Sequence, residues 1–328
     1  MRFRAATADP AATADPAGPA EPAAYPAGLD RALAYQADGP VAALAPDRVR
    51  EEFEANRFRP EWTWFAEDDN GEVLARALWW GRADSERPIA LDCLQVRSTV
   101  ADPAAVAAGL LEAGHTAFGK RPGYNLSLPR GWREDEALVE AVAWRQEAAR
   151  RTGLTREIER LRYEWAPAAG TGEPSGKLVF REGTDEEFLD VFGRLSRGSL
   201  DLGTQDGLRT MTEEEFARDD FEYYRDCPGE RSWWRLAHLP DGTLAGMAIP
   251  SATPYHRNVG YLGVVPEQRG RGLIDEILAE ITRFHASEGA ERITATTDTV
   301  NLPMAAAFDR AGYGVTEIRL VLEEPPAA

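Results

Sequence analysis

The sequence predicts an α+β fold, in which two similarly built halves each carry a mixed sheet and packed helices. Three observations predict it. The chain has 328 residues, about two domain lengths. Apolar residues switch between a helical spacing (Ile274, Ile277, Leu278, Ile281, Phe284) and the alternation of a strand (Ile293, Ala295, Thr297). One hairpin pattern also occurs twice with the same internal spacing. Trp62 to Phe65 lead through Asn70-Gly71 to a strand ending at Leu78-Trp79-Trp80, and Trp233-Trp234 lead through Asp241-Gly242 to a strand through Ile249.

The elements follow in order. Residues 1–28 carry a repeated Ala-Thr-Ala-Asp-Pro and little that could form a core, so a disordered leader is expected there, without the apolar run of a signal peptide. A first domain over 29–165 contains the first hairpin and a strand over 89–96. A helix opening at Asp102-Pro103, a strand over 124–128, a helix over 137–151 and a strand over 158–165 complete it. Residues 166–176, rich in Ala, Gly and Pro, read as a linker. In a second domain, over 177–328, a strand over 178–180 precedes two helices opened by the capping boxes Thr184-x-x-Glu187 and Thr212-x-x-Glu215. The second hairpin, a strand to Val265, a helix from Leu273 and a half-buried strand over 293–298 come next. A helix capped by Asn301 with Pro303 in its first turn, stopping at Gly312, and a closing strand over 315–322 end the chain.

Composition excludes several function classes. A net charge of -18, from 37 basic and 55 acidic residues, opposes binding to nucleic acid or anionic membranes and favours a cationic amine as partner. Nothing in the chain is apolar and long enough to span a bilayer, so a cytoplasmic protein is expected. Two cysteines, Cys93 and Cys227, one in each half, form no disulfide framework, and with four scattered histidines they give no metal pattern. Abundant Ala and a strong preference for Arg over Lys read as bacterial, and a monomer or homodimer is expected.

The most informative segment runs from Tyr261 to Leu273, where an apolar strand meets a basic glycine loop and then a helix. Unpartnered N–H groups and the macrodipole at a helix start stabilise an anion. Gly270 and Gly272 let the main chain approach such a ligand, and Arg269 and Arg271 are expected to add charged donors. No Gly-Lys-Ser/Thr follows, and Asp275 stands where a dinucleotide fingerprint needs its third Gly, so neither a nucleoside triphosphate nor NAD fits.

Arg269-Gly270-Arg271-Gly272-Leu273-Ile274 resembles motif A of the GNAT N-acyltransferase superfamily, with Ile274 where that family has Gly or Ala. The resemblance covers 177–322, and the first half looks like a degenerate second copy. Its corresponding loop, Arg97-Ser98-Thr99-Val100-Ala101, has no glycine, so it is expected to bind no CoA and to serve as a scaffold or a wall of the substrate site. The resemblance implies acetyl transfer from acetyl-CoA, a co-substrate, to the primary amine of a small molecule, with no metal. Leu262, Val264, Val265 and Asn301 would then lie along the pantetheine arm, and Arg269 to Ile274 around the pyrophosphate. The family's usual acid, a Tyr, aligns with Phe308, which leaves Tyr261, Tyr255 or water to protonate the thiolate.

For the base, Asp298 is the first candidate and His256 the second. Asp298 serves equally as an ammonium ligand or a loop cap, and His256 equally as a solvated loop residue. Tyr223, Tyr224, Trp233 and Trp234 are candidates for an acceptor pocket beside their alternative role in core packing. A non-catalytic acyl-CoA or metabolite binder of the same fold is the competing reading.

Overall fold

The computed structural model describes residues 1–7 and 27–326. The chain divides into two compact units, Met1–Ile158 with Arg319–Pro325, and Glu159–Ile318. The division therefore falls inside a strand and not in the expected linker at 166–176, and the first unit takes in a tail from the far end of the chain. Strand ladders explain it. Residues 160–165 pair antiparallel with 293–298, from Arg160↔Asp298 to Trp165↔Ile293, and Gly123 lies against the Leu322 carbonyl.

The first unit contains β1 (Arg2–Ala5), α1 (Ala27–Ala34), α2 (Pro46–Glu54), β2 (Thr63–Glu67), β3 (Val73–Trp80) and β4 (Ala90–Val96). After these come α3 (Pro103–Phe118), β5 (Gly123–Leu128), α4 (Glu136–Arg151) and the start of β6 (Arg156–Trp165). Its strands lie in the order β1 to β5. The expected leader is corrected at its start, because Arg2–Ala5 pair antiparallel with β2 and Arg4 donates to Glu67 at 3.0 Å. Phe3 packs where Gly109 leaves room, a Cβ there falling 2.4 Å from the Phe3 ring. Residues 8–26 of that expected leader lie outside the described residues.

The second unit contains β7 (Val179–Arg181), α5 (Asp185–Ser196), α6 (Leu202–Thr210), α7 (Glu213–Asp226), β8 (Arg235–His238), β9 (Leu244–Ala252) and β10 (Arg257–Val264). Then follow α8 (Leu273–Ser287), β11 (Ile293–Asp298), α9 (Leu302–Arg310) and the first half of β12 (Gly314–Glu323). Both capping boxes form, Thr184 with Glu187 and Thr212 with Glu215. The sequence reading missed α6, a short helix capped by Asp201. Consecutive strand residues serve two cores, as the pleat requires. Ala237 and Ala248 join Ile277, Leu278 and Ile281 of α8, whereas Leu236 and Met247 join Phe188, Phe192 and Phe221 of α5 and α7. Strand β11, expected to be half-buried, is buried at five of its six positions because it is an interior strand with β6 on one side and β10 on the other.

Strand β10 positions the site. It follows β9 to Val264↔Gly246, with a bulge around Gly260, yet pairs with β11 only at Arg257↔Ile293 and Asn258↔Thr294. Beyond Asn258 the two parallel strands separate. A Cβ at Gly246 would fall 2.0 Å from the Gly263 carbonyl, so the close β9–β10 approach depends on glycine at this position.

Candidate active site

Where β10 separates from β11, a cavity of about 370 Å³ opens. Four segments border it: Tyr261 to Val264 of β10, Gln268 to Ile274 less Arg271, Asn301 to Met304 less Leu302, and Gly198 to Leu200 with Leu195. Gly270 and Gly272 adopt φ of 78° and 70°, which a side chain would strain, and both have open space where a Cβ would be. Gly272 is the N-cap of α8, and no side chain caps that helix. Its first N–H groups and its dipole therefore serve the cavity. Asn301 caps α9 by accepting from the Met304 N–H at 3.3 Å. Leu262, Val264, Leu273 and Ile274 line the cavity with these polar groups.

The two loop arginines do something else. Arg269 donates from Nε to Val264 O (3.1 Å), from Nη1 to Arg197 O (2.9 Å) and Gly198 O (3.0 Å), and from Nη2 to Leu195 O (3.1 Å). All three guanidinium nitrogens are engaged with carbonyls, so Arg269, which also borders the cavity, staples the glycine loop to the loop after α5. Arg271 donates to the Gln268 side chain and faces a separate surface with Lys177 and Asp241. Val265 is fully buried and its N–H donates to Ala245 O at 2.9 Å, which removes it from the expected pantetheine contacts.

The two base candidates are also placed elsewhere. Asp298 is 1% exposed; its Oδ1 accepts from Arg160 Nε at 2.9 Å and its Oδ2 from the Leu202 N–H at 2.7 Å. Burial raises its pKa, against the Leu202 N–H and the Arg160 guanidinium. With both oxygens held, Asp298 ties β11 and β6 to the start of α6 and is not a poised base. His256 sits before β10, at the opposite end of that strand from the glycine loop, with Nδ1 3.0 Å from Thr253 Oγ1. Burial lowers its pKa, and Tyr255 beside it is exposed. Trp233 packs on Phe284 and His285 of α8, 5.3 and 6.0 Å between centroids, and lies off the cavity. Tyr223 is exposed and touches Tyr224 edge-on at 5.0 Å.

The structure brings forward a residue that sequence reading passed over. Asp220 lies on the face of α7 that buries Phe216, Ala217 and Phe221. Burial, then repulsion from Asp201 and Asp219, pushes its carboxyl up to about 7. Its charge is felt by Tyr224 and Tyr261, whose rings meet at 5.3 Å, and burial raises the pKa of both phenols. Of these groups Tyr261 lines the cavity. A near-neutral carboxyl whose charge reaches a buried phenol makes the two groups candidates for acid–base work. The signal was a carboxylate four residues from Phe216 and from Tyr224 on an apolar helix face. Phe308, where an acid was sought, is 1% exposed, stacks on Tyr163 at 4.7 Å and has no proton to give.

Among the described residues no group of three or more His, Cys, Asp or Glu could hold a metal, and no helix is long and apolar enough to cross a membrane. No curated protein matches the chain. A GCN5-related N-acetyltransferase from Sphaerobacter thermophilus has the same fold, at TM-score 0.54 and 15% identity over 86% of this chain and 88% of that one. A conserved protein of unknown function from Staphylococcus epidermidis aligns at TM-score 0.50 and 10% identity over 76% of this chain and 91% of its own. A tandem GNAT protein from the clavulanic acid biosynthesis pathway aligns at TM-score 0.46 and 17% identity over 92% and 96%. Residues 203–313, which include three of the segments that border the cavity, match the model of the acetyltransferase (GNAT) family.

Proposed function

We propose that the second unit transfers an acetyl group from acetyl-CoA to the primary amine of a small molecule. One observation carries this reading: an uncapped helix N-terminus and a strand edge without a neighbouring strand border the same cavity. The N–H groups at Gly272 to Ile274 hold the pyrophosphate, and the β10 edge from Leu262 to Val264 pairs with the amides of the pantetheine arm. The amine nitrogen attacks the thioester carbonyl, a C–N bond forms and the C–S bond breaks. Asp220 takes the proton that the amine loses, and either Tyr261, which borders the cavity, or water gives one to the departing thiolate. The net charge of -18 supports a cationic amine over nucleic acid as partner.

The first unit binds no CoA in this reading. At its corresponding loop Asp38 already accepts from the Ser98 N–H (3.1 Å) and Oγ (2.7 Å), Asp102 caps α3 and Pro103 has no N–H. A second reading, a binder without turnover, is favoured by Phe308. Thiol release from acetyl-CoA, measured with a panel of monoamines, diamines and amino sugars, separates the two. Release with one amine class supports transfer, and tight acetyl-CoA binding with no release across the panel supports the binder.

A further inference from the structure

The first unit buries a cation for which the described residues supply no anion. Arg76, on β3, is 3% exposed, and among the described residues no carboxylate pairs with it. A guanidinium is rarely buried to this degree without a counter-charge, because removing it from water costs several kcal/mol. Its Nη1 donates to Ala32 O, and its Nη2 donates to Gln95 Oε1 at 2.6 Å and touches Cys93 Sγ at 3.9 Å. The contact with Arg76 occupies the Gln95 amide oxygen and leaves Nε2 to another acceptor. Arg76 Nε, Gln95 Nε2 and the Tyr35 hydroxyl are all buried, with no hydrogen-bond partner among the described residues.

The charge around this cluster is positive. The Arg76 and Arg97 guanidinium carbons lie 5.1 and 5.0 Å from the centre of the same Tyr35 ring. Two internal groups could in principle ionise against them, and neither does at neutral pH. Burial pushes the Tyr35 phenol up to about 12, and burial also raises the Cys93 thiol. The carboxylate of Asp38, which acts on both Tyr35 and Arg97, is exposed and engaged by Ser98. Among the described residues, the Arg76 charge and three buried donors are left without an acceptor.

We propose that Arg76, Gln95 and Tyr35 form a binding site for a small monoanion, of chloride or short-carboxylate size, which supplies the counter-charge inside the first unit. An anion accepting from Arg76 Nε, Gln95 Nε2 and Tyr35 Oη satisfies each unpartnered donor and neutralises the guanidinium. This is separate from the acyl-transfer cavity and does not depend on the reading of that cavity.

The test uses the full chain. Thermal unfolding is followed at constant ionic strength while sodium chloride or sodium formate replaces sodium gluconate, whose anion is too large to enter. A saturable rise of about 3 °C in the first transition is expected, absent in Arg76→Met. Should Arg76→Met fail to fold, Tyr35→Phe and Gln95→Leu keep the cation and remove one donor each, and several-fold weaker half-saturation is expected in both. Saturation by chloride alone marks a halide site, and saturation by formate as well marks a general monoanion site. Crystals grown in sodium bromide should show anomalous density within hydrogen-bond distance of Arg76 Nε. The same unfolding temperature in all three salts, with water and no bromide at that atom, overturns the proposal.

Discussion

Arg269 donates to the Gly198 carbonyl at 3.0 Å, and through this bond the glycine loop holds the opposite wall of the cavity. Its neighbouring bonds to Arg197 and Leu195 bind the same wall, while the Asp298 carboxylate fixes the start of α6 just beyond it. The segment from Gly198 to Leu200 is thus braced from two sides. A loop held in this way is already in position when a ligand arrives, which saves the ordering cost of closing it.

Replacing Arg269 by Met should therefore weaken acetyl-CoA binding by about tenfold, through loss of a preorganised wall. Lys should rescue little, since one ammonium cannot reach the four carbonyls the guanidinium fork spans. Titrations at two ionic strengths check the mechanism. A staple leaves the salt dependence of binding as in the wild type, whereas loss of a direct phosphate contact reduces it.

Asp220 makes the sharpest kinetic prediction. As a base it must be ionised, so kcat/KM for the amine should rise with pH through about 7 and level off above it. Asp220→Asn should lower kcat by about 10²-fold to 10⁴-fold and abolish that limb, with acetyl-CoA binding retained. Its folded pKa is raised above the unfolded value of 3.8, so the folded state holds the extra proton between the two values. Stability contributed by Asp220 is then present at low pH and lost as pH rises toward about 7. Melting curves of wild type and Asp220→Asn should accordingly diverge in favour of the variant between pH 4 and 8.

Asp298→Asn separates the structural carboxylate from the chemical one. The amide can still accept from Leu202 but no longer balances Arg160, and a stability loss of about 2 kcal/mol is expected for this partly exposed partner. The pH profile of kcat/KM should keep its wild-type midpoint. A shifted midpoint would return the role of base to Asp298.

Ile274 lines the cavity on the first turn of α8, where its side chain narrows the approach to N–H groups that need no side chain at all. Ile274→Ala should tighten acetyl-CoA binding several-fold while leaving the melting temperature nearly unchanged, since the residue is only partly buried.

Sequence alone carried the fold a long way because its signals were local. Both capping boxes, the Asn301 cap, the Gly71 and Gly242 turns and the loop at Gly270 and Gly272 depend on residues within a few positions of one another. Features decided by distant partners were not legible. The bonds of Arg269 to the Leu195 and Arg197 carbonyls, more than 70 residues away, leave no mark in the local sequence. Asp298 reads as a base until Arg160, 138 residues away, is found on its carboxylate. The assignment of Arg319–Pro325 to the first unit likewise follows from strand pairing, which composition does not encode. Asp220 was visible as a charge on an apolar helix face, but its significance depends on Tyr261 from another element.

The central claim is that the start of α8 binds the pyrophosphate of an acyl-CoA, and calorimetric titration of acetyl-CoA into wild type and Gly272→Asp tests it directly. Asp tolerates the positive φ of 70° better than most residues, and its carboxylate would cap the helix and repel phosphate at the same point; circular dichroism verifies that the variant folds. Micromolar binding by the wild type, lost in the variant, is the predicted result. Equal binding by both proteins, or none by the wild type, would contradict the account.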